Sequence, residues 1–212
     1  MGVEGGAVST SRATAAIAAE AARLVVETGM EYAAARQKAA RSLAAGGRGA
    51  PLPGTLEIEE AVREHLSVFH ADTQPDELAE LRRLAASWMR RLARFRPHLG
   101  GAVWRGTATQ ASAVRIDLYC DDPKSAPIEL LNLGIPHDLD AVDEGGREPV
   151  TVLTLAAPSR LLGQPATVHL FVRDADDLRG ALKPDETGQT WRGDLAMLEA
   201  RLANPDGLGR SE

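Results

Sequence analysis

The hydrophobic period of the sequence changes at Pro97, and this change limits what the chain can fold into. Before Pro97, apolar residues recur every three or four positions, which is the period of an amphipathic α-helix. After Pro97, apolar and polar residues mostly alternate, which is the period of a half-buried strand. The sequence therefore predicts an α+β fold, in which N-terminal helices precede a small mixed sheet with flanking helices.

Four helices are predicted before the change of period, over residues 11–28, 31–44, 55–69 and from Pro75 to about residue 96. In the third helix, the pattern places four apolar residues inward, namely Leu56, Val62, Leu66 and Phe69. The fourth carries the most regular stripe, which we expect to be core: Leu78, Leu81, Ala85, Trp88, Leu92 and Phe95. Its arginines, from Arg82 to Arg96, are expected on a solvated face near the helix C-terminus.

Strands are predicted near residues 98–104, 112–120, 150–156 and 166–172, with a weaker one near 136–142. Helices are predicted over residues 122–133, after Asp174 and over 194–203. The domain plan that follows has a disordered tail over residues 1–10, a helical pair over 11–45, a linker over 46–54, one domain over 55–205 and a second tail over 206–212. The linker prediction depends on its dense glycine and proline.

Charge and cysteine usage narrow the class of protein. The formal net charge is -6 and the sequence pI about 5.4, so a nucleic-acid partner is not expected. The single cysteine, Cys120, is expected to be a core thiol, and it allows no disulfide within the chain. No apolar run reaches the roughly 18 residues of a spanning helix, and no apolar leader precedes the first helix, so a cytoplasmic protein away from membranes is expected.

Residues 101–116 carry a resemblance to a known family. Gly101-Ala102-Val103-Trp104-Arg105-Gly106 and, further on, Ser112-Ala113-Val114-Arg115-Ile116 resemble the signature of the nucleotidyltransferases of the DNA polymerase β superfamily. In that family a Gly-Ser pair, a further Gly and a Ser-Asp-x-Asp run recur at these spacings. The resemblance implies a nucleotidyltransferase-type sheet and a nucleotide bound near five residues, namely Gly101, Ala102, Gly106, Thr107 and Arg115.

The family's metal ligands are missing from this segment. In the family, carboxylates at i and i+2 on one strand face hold a divalent metal, and a third carboxylate usually comes from a later strand. Ala113 and Arg115 occupy the first two positions here, and the candidate strand from Thr167 to Val172 contains no acid. The resemblance therefore implies a nucleotidyltransferase-like protein without metal-dependent transfer, which binds a nucleotide or a partner protein; we assign no metal-binding residue and expect no Mg²⁺.

Alternatives to this hypothesis stay open at the level of sequence. Asp117 shares the strand face of Arg115 and is either solvated or an ion-pair partner of that arginine. Arg115 is either that partner or a phosphate anchor that replaces the metal. An active enzyme would need Asp117 as its candidate catalytic residue, with Asp138, Asp140 and Asp143 as the other local acids. A third hypothesis is an interaction module built on the N-terminal helices, with a protein partner.

A second resemblance concerns a ligase. Short bacterial proteins with a segment similar to residues 61–70 and a Gly-x-Val-x-x-Gly-Thr-Ala hairpin, as at residues 101–108, are often labelled UDP-N-acetylmuramate–alanine ligase. The label implies an ATP-dependent ligase. Such ligases are much longer and use a Gly-Lys-Ser/Thr phosphate loop, which this sequence lacks.

Overall fold

The computed structural model of the protein describes residues 4–43, 51–143, 148–184 and 190–204, and within them the side chains from residue 12 onwards. The predicted tail at 206–212 lies outside the described residues, as do residues 46–50 of the predicted linker. Residues 51–54 of that linker are described and have no regular secondary structure. None of the described helices combines the length and hydropathy that a membrane span requires.

The chain forms two compact units, and their boundary differs from the predicted one at residue 55. The helical unit consists of Met1–Pro75 with Thr107–Ser112, and the sheet unit consists of Asp76–Gly106 with Ala113–Glu212. The third helix, which was assigned to the domain at 55–205, belongs to the helical unit because it packs against the first helix. The fourth helix belongs almost entirely to the sheet unit, so an interaction module of four helices is not a separate body.

The helical unit contains α1 (Glu4–Thr28), α2 (Tyr32–Leu43) and α3 (Thr55–Phe69). Its core includes Ala21, Val25, Ala35, Ile58 and Val62. Helix α1 begins at Glu4 and so includes residues 4–10 of the predicted tail. Once a helix has nucleated, each further residue adds one backbone hydrogen bond, and the Ala-rich segment lets α1 extend towards its N-terminus.

The inward face of α3 differs from the predicted one. Ile58, Val62 and Leu66 are buried, whereas Leu56 and Phe69 are exposed. The buried residues are spaced four apart and share one helix face, while Leu56 lies about 200° from Ile58 around the axis at about 100° per residue. Phe69 contacts His65 instead, with 4.7 Å between the ring centroids. The bounds of α3 agree with the prediction, but its buried stripe is shifted.

Within its described residues, the sheet unit has six strands: β1 (His98–Gly100), β2 (Val114–Cys120), β3 (Asp138–Val142), β4 (Val150–Ala157), β5 (Ala166–Asp174) and β6 (Arg192–Gly193). Their order in the sheet is β3-β4-β5-β2-β1-β6. β2 and β5 are parallel, and the other neighbours are antiparallel, so the sheet is mixed. The helices of this part are α4 (Gln74–Arg91), α5 (Gly101–Arg105), α6 (Ser125–Asn132) and α7 (Leu195–Ala203). The predicted α+β class is confirmed.

The strand predicted over residues 98–104 ends early, at Gly100, and residues 101–105 form the short helix α5. Gly101 has a φ of +67°, a left-handed conformation that breaks the strand and that glycine adopts without strain. Gly106 ends the helix with a φ of +84° and donates its N–H to the Ala102 carbonyl at 2.9 Å. The two glycines therefore bracket a helical turn that alternation alone does not predict.

Helix α4 buries a slightly different set of residues from the predicted stripe. Leu81, Ala85 and Leu92 are buried as expected, but Trp88 is only half-buried and Met89 is fully buried. The guanidinium of Arg91 lies over the Trp88 ring, 5.4 Å from its centroid. Arg82 is buried rather than solvated, and its Nε donates to the Val103 carbonyl at 3.3 Å. This bond satisfies a carbonyl near the C-terminal end of α5.

One face of the sheet is apolar and the other is polar. The even-numbered residues of β2, Val114, Ile116 and Leu118, are buried on the apolar face, as are Leu153 and Leu170 of the neighbouring strands. Cys120 ends this row as a buried thiol, in agreement with the prediction, and burial raises its pKa. The odd-numbered residues of β2 lie on the opposite face, where the charged side chains collect.

Gly193 provides a test of the packing of the sheet unit. A Cβ atom there would stand 2.0 Å from Cη2 of Trp104, whose ring is fully buried. We expect Gly193→Ala to lower the free energy of unfolding by about 1–3 kcal/mol, because the ring must move within a close-packed core. Gly100→Ala is the matched control, since its Cβ would make an ordinary 3.6 Å contact with Arg192. Denaturant unfolding measures both, and equal losses would contradict this packing.

His65 in α3 gives the helical unit a pH dependence. Burial lowers its pKa, and the nearby charge of His70 lowers it further, as does Arg23, while Glu27 opposes them. A histidine with a lowered folded-state pKa stabilises the fold above its unfolded pKa of about 6.5 and loses this contribution as the pH falls. We expect His65→Gln to reduce the fall in melting temperature between pH 7.5 and pH 5. An equal fall in the variant and the wild type would contradict this role of His65.

Candidate functional site

A row of polar residues crosses the polar face of the sheet. Strand register aligns Asp138 with Thr154, Thr154 with His169, His169 with Arg115, Arg115 with Gly100 and Gly100 with Arg192. Side chains of residues paired in this way point to the same side of a sheet. Thr154 Oγ1 and His169 Nδ1 are 2.9 Å apart and share a hydrogen bond. Backbone register alone therefore aligns residues from all the strands of this sheet, and five of them, all except Gly100, carry side chains.

Asp117 lies beside this row and is fully buried. Arg173 donates from Nε to Asp117 Oδ1 at 2.8 Å, and Arg192 donates from Nε to Oδ2. Arg115 Nη2 lies 3.9 Å from Oδ1. We call Asp117 with Arg115, Arg173 and Arg192 the arginine cluster. The interpretation of Asp117 as a solvated strand residue is therefore wrong, and it is an ion-pair partner of Arg115 and of two further arginines.

Glycine and phenylalanine place the guanidinium groups of this cluster. Arg192 reaches Asp117 across β1 at Gly100, where an added Cβ would already lie 3.6 Å from Arg192 Cγ. Arg115 passes Gly101, where an added Cβ would lie 3.5 Å from Arg115 Cβ. Its guanidinium lies over the Phe171 ring, 3.9 Å from the centroid. The backbone at residues 100–101 thus leaves room for arginine side chains.

Several guanidinium groups approach Asp117. Arg115, Arg173 and Arg192 all lie within ion-pair distance of its single carboxylate. Burial raises the pKa of the neighbouring Tyr119, and the negative charges of Asp117 and Asp177 raise it further, whereas Arg192 and Arg173 lower it. Guanidinium groups gathered in this way can also donate hydrogen bonds to an anion on the polar face.

The structure brings some of the predicted nucleotide-binding residues together and separates others. Gly101 begins α5 beside Arg115, and Ala102 follows it in the same helix. Gly106 ends α5, and a Cβ atom added to it would lie 3.5 Å from Nη2 of Arg82. Thr107 is buried in the helical unit, where its Oγ1 and the Tyr32 hydroxyl are 3.2 Å apart. Gly101 and Arg115 thus share one place with Asp117, while Thr107 packs against α2.

The acids proposed for an active enzyme do not converge. Asp138 and Asp140 lie on β3, three strands from Asp117 on β2, which at about 4.8 Å per strand is roughly 14 Å. Asp143 follows β3 on the same side of the sheet order. Within the residues that the structure describes, no three His, Cys, Asp or Glu side chains are grouped closely enough to hold a metal ion. Asp117 thus has arginines, rather than other carboxylates, as its close charged neighbours.

Sequence reasoning missed Arg173 and Arg192, the two arginines that bond Asp117 directly. Arg173 is the penultimate residue of β5, two residues after Phe171, and Arg192 comes 75 residues after Asp117 in the chain. It also missed Arg201, which donates to the Trp104 carbonyl at 2.6 Å and stacks on the Trp104 ring. Burial and the charge of Arg82 lower the pKa of Arg201 to about 10. Arg82 and Arg201 therefore donate hydrogen bonds to carbonyl groups at the C-terminal end of α5.

Comparison of the chain with models of protein families, with curated proteins and with solved structures gives no match in any of the three.

The burial of Asp117 predicts a large effect of its removal on stability. Asp117→Asn keeps the shape of the side chain but leaves the surrounding guanidinium groups without their counter-charge. We expect a loss of about 3–5 kcal/mol in the free energy of unfolding, as for other broken buried ion pairs. Asp121→Asn is the control, because its side chain is 91% exposed, 3.5 Å from Arg96, and such pairs contribute about 0–1 kcal/mol. Similar values for both variants would show that the cluster contributes little.

Proposed function

We propose that the protein is a nucleotidyltransferase-like binder of a nucleotide or a related phosphorylated compound, which it holds on the arginine cluster without a divalent metal and without transferring a nucleotidyl group. The observation that carries this proposal is the hydrogen bonding and exposure of the Arg192 side chain. Its Nε bonds the buried Asp117, its side chain is 30% exposed, and its two other guanidinium nitrogens have no hydrogen-bond partner among the described residues. Those donors are available to an anion.

The chemistry of the cluster suits phosphate. A guanidinium offers planar, forked donors that match two oxygens of a phosphate group, and its charge does not depend on pH in the physiological range. Asp117 fixes the position of Arg192 and Arg173 before any ligand arrives, which reduces the entropy lost on binding. Arg115, 23% exposed and stacked on Phe171, supplies a third positive group at the same place.

The same geometry argues against transfer chemistry. Family transferases neutralise the triphosphate in the transition state with metal ions held by carboxylates. Ala113 and Arg115 occupy two of those positions here, and His169 is the β5 residue in register with Arg115. Arginines can hold a phosphate in the ground state, but none of these three side chains is a carboxylate of the kind that holds the metal ions in the family. Binding is therefore the function that these residues support, and a protein partner for the N-terminal helices stays a prediction.

Calorimetric titration with ATP and with inorganic tripolyphosphate tests this proposal. We expect both ligands to bind in EDTA as well as in Mg²⁺, and to bind more weakly as salt is added, because the attraction is Coulombic. Arg192→Gln should weaken binding about 10- to 100-fold, the usual range for losing a charge-assisted hydrogen bond. Arg83→Gln removes the same charge from an exposed i,i+3 pair of α4 and should leave affinity within about twofold.

Two further variants decide between the alternatives. Arg115→Asp restores one acid of the family pair and removes a proposed phosphate contact, so the affinity for ATP should fall. Unchanged affinity would mean that Arg115 only forms an ion pair with Asp117 and does not contact the ligand. With labelled ATP and Mg²⁺ or Mn²⁺, we expect no covalent adduct on protein, RNA or aminoglycoside acceptors. An adduct that Asp117→Ala abolishes would overturn the proposal in favour of an active enzyme.

A further inference from the structure

A cleft of about 760 Å³ lies in the sheet unit, at the opposite end of β1 from Gly101. Its walls come from the C-terminal end of α4 and the following turn, from the start of β1, from residues 178–184 and from the start of α7. Its volume lies within the range of about 300–1,000 Å³ that is usual for small-molecule sites. The cleft does not include the residues of the resemblance, so it is a second place at which a ligand can bind.

The walls of the cleft are mainly apolar. Met89, Pro97, Leu178, Leu182 and Leu195 all line it. Such walls favour an uncharged, hydrophobic ligand body, because transfer of apolar surface out of water stabilises the bound state.

Two polar residues give the cleft hydrogen-bond acceptors. His98 lines it, and its Nδ1 donates to the Arg96 carbonyl at 2.9 Å, which leaves Nε2 as the ring nitrogen that can accept a hydrogen bond. Asp194 also lines it, and only its Oδ1 is used as the N-cap of α7, where it accepts from the Met197 N–H at 2.8 Å. Asp194 Oδ2 is therefore a second acceptor. A ligand that satisfies both must carry N–H or O–H donors.

The formal charges around the cleft are nearly balanced. Arg96 lies 3.5 Å from the Asp121 carboxylate and also donates to the Tyr119 carbonyl, so its charge already has a partner. Lys183 and Asp194 are one cation and one anion on the same lining. A strongly charged ligand would gain little from such a site, whereas a neutral one would lose little on leaving water.

We propose that this cleft binds a neutral, nitrogen-containing aromatic ring compound, with the ring between the apolar walls and a ring N–H donating to His98 Nε2 or Asp194 Oδ2. A flat ring buries a large apolar area with little loss of conformational entropy. The ring N–H then determines which aromatic compounds bind, since an acceptor left unpaired in the cleft is costly. This site is independent of the phosphate site proposed above.

Matched probes and variants test this site by calorimetry or ligand-observed NMR on the full chain. Indole and benzimidazole carry a ring N–H, and their N-methyl derivatives do not. We expect the methylated compounds to bind about 5- to 10-fold more weakly, because each loses one hydrogen bond to the cleft. Asp194→Ser keeps an N-cap residue for α7 but removes the carboxylate, so it should reduce the preference for the N–H compounds. Equal binding of methylated and unmethylated probes would overturn the proposed recognition.

A second pair of variants locates the binding in the cleft. Ala196 lines the cleft and is exposed, so Ala196→Trp should fill it without disturbing the core and abolish probe binding. Ala200→Trp is the control, because Ala200 is exposed one turn further along α7 and does not line the cleft. Binding that survives Ala196→Trp, or the absence of binding at millimolar probe, would overturn the proposal. Neither result bears on ATP binding at the arginine cluster, which Arg192→Gln tests separately.

Discussion

The buried carboxylate of Asp117 is the constraint on which the polar face of the sheet depends. Removing an ionised carboxylate from water costs several kcal/mol unless hydrogen bonds and opposite charges compensate. Here the compensation comes from three different strands, with Arg115 on the same strand, Arg173 on β5 and Arg192 on β6. The short strand β6 is thereby connected electrostatically to the centre of the sheet. To reach the carboxylate, the Arg192 side chain crosses β1 at Gly100.

Local periodicity predicted most of the fold because most of its elements bury one face. The bounds of α3, β2, β4 and α7 differ from the predictions by two residues or fewer. The failures have specific causes. The change of period after Pro97 suggested a strand over residues 98–104, but the backbone conformation at Gly101 ended it early. Trp88 matched the stripe of α4, yet its ring is partly exposed beneath Arg91, so spacing indicated the face but not the depth of burial.

The candidate site was predictable only in part. Register on one strand placed Arg115 and Asp117 on the same face, since side chains alternate along β2. The partners that bond Asp117 directly could not be found in this way. Arg192 lies 75 residues away, and nothing local marks it as different from the other arginines of the chain. A non-local ion pair depends on sheet order, and sheet order is not a property of any short segment.

Glycines near a strand end are ambiguous for a physical reason. A glycine permits close approach of the backbone to any group, and the sequence does not say which group approaches. In this protein the groups nearest Gly100 and Gly101 are the aliphatic parts of Arg192 and Arg115. The glycine framework therefore has a role within the fold whether or not a phosphate binds, and its presence alone is weak support for a nucleotide site.

The exposed donors of Arg192 are stronger support. Elsewhere in the sheet unit, ion pairs such as Arg90 with Glu199 and Arg94 with Glu129 join one cation to one anion at exposed positions, where solvent screens the charges. Around Asp117, screening by water is weaker because the side chains of the arginine cluster are 0–30% exposed. An anion on the polar face could accept hydrogen bonds from the two guanidinium nitrogens of Arg192 that have no hydrogen-bond partner among the described residues. A ligand that binds the folded chain but not the unfolded one stabilises the fold, so phosphate binding and folding stability should be linked at this cluster.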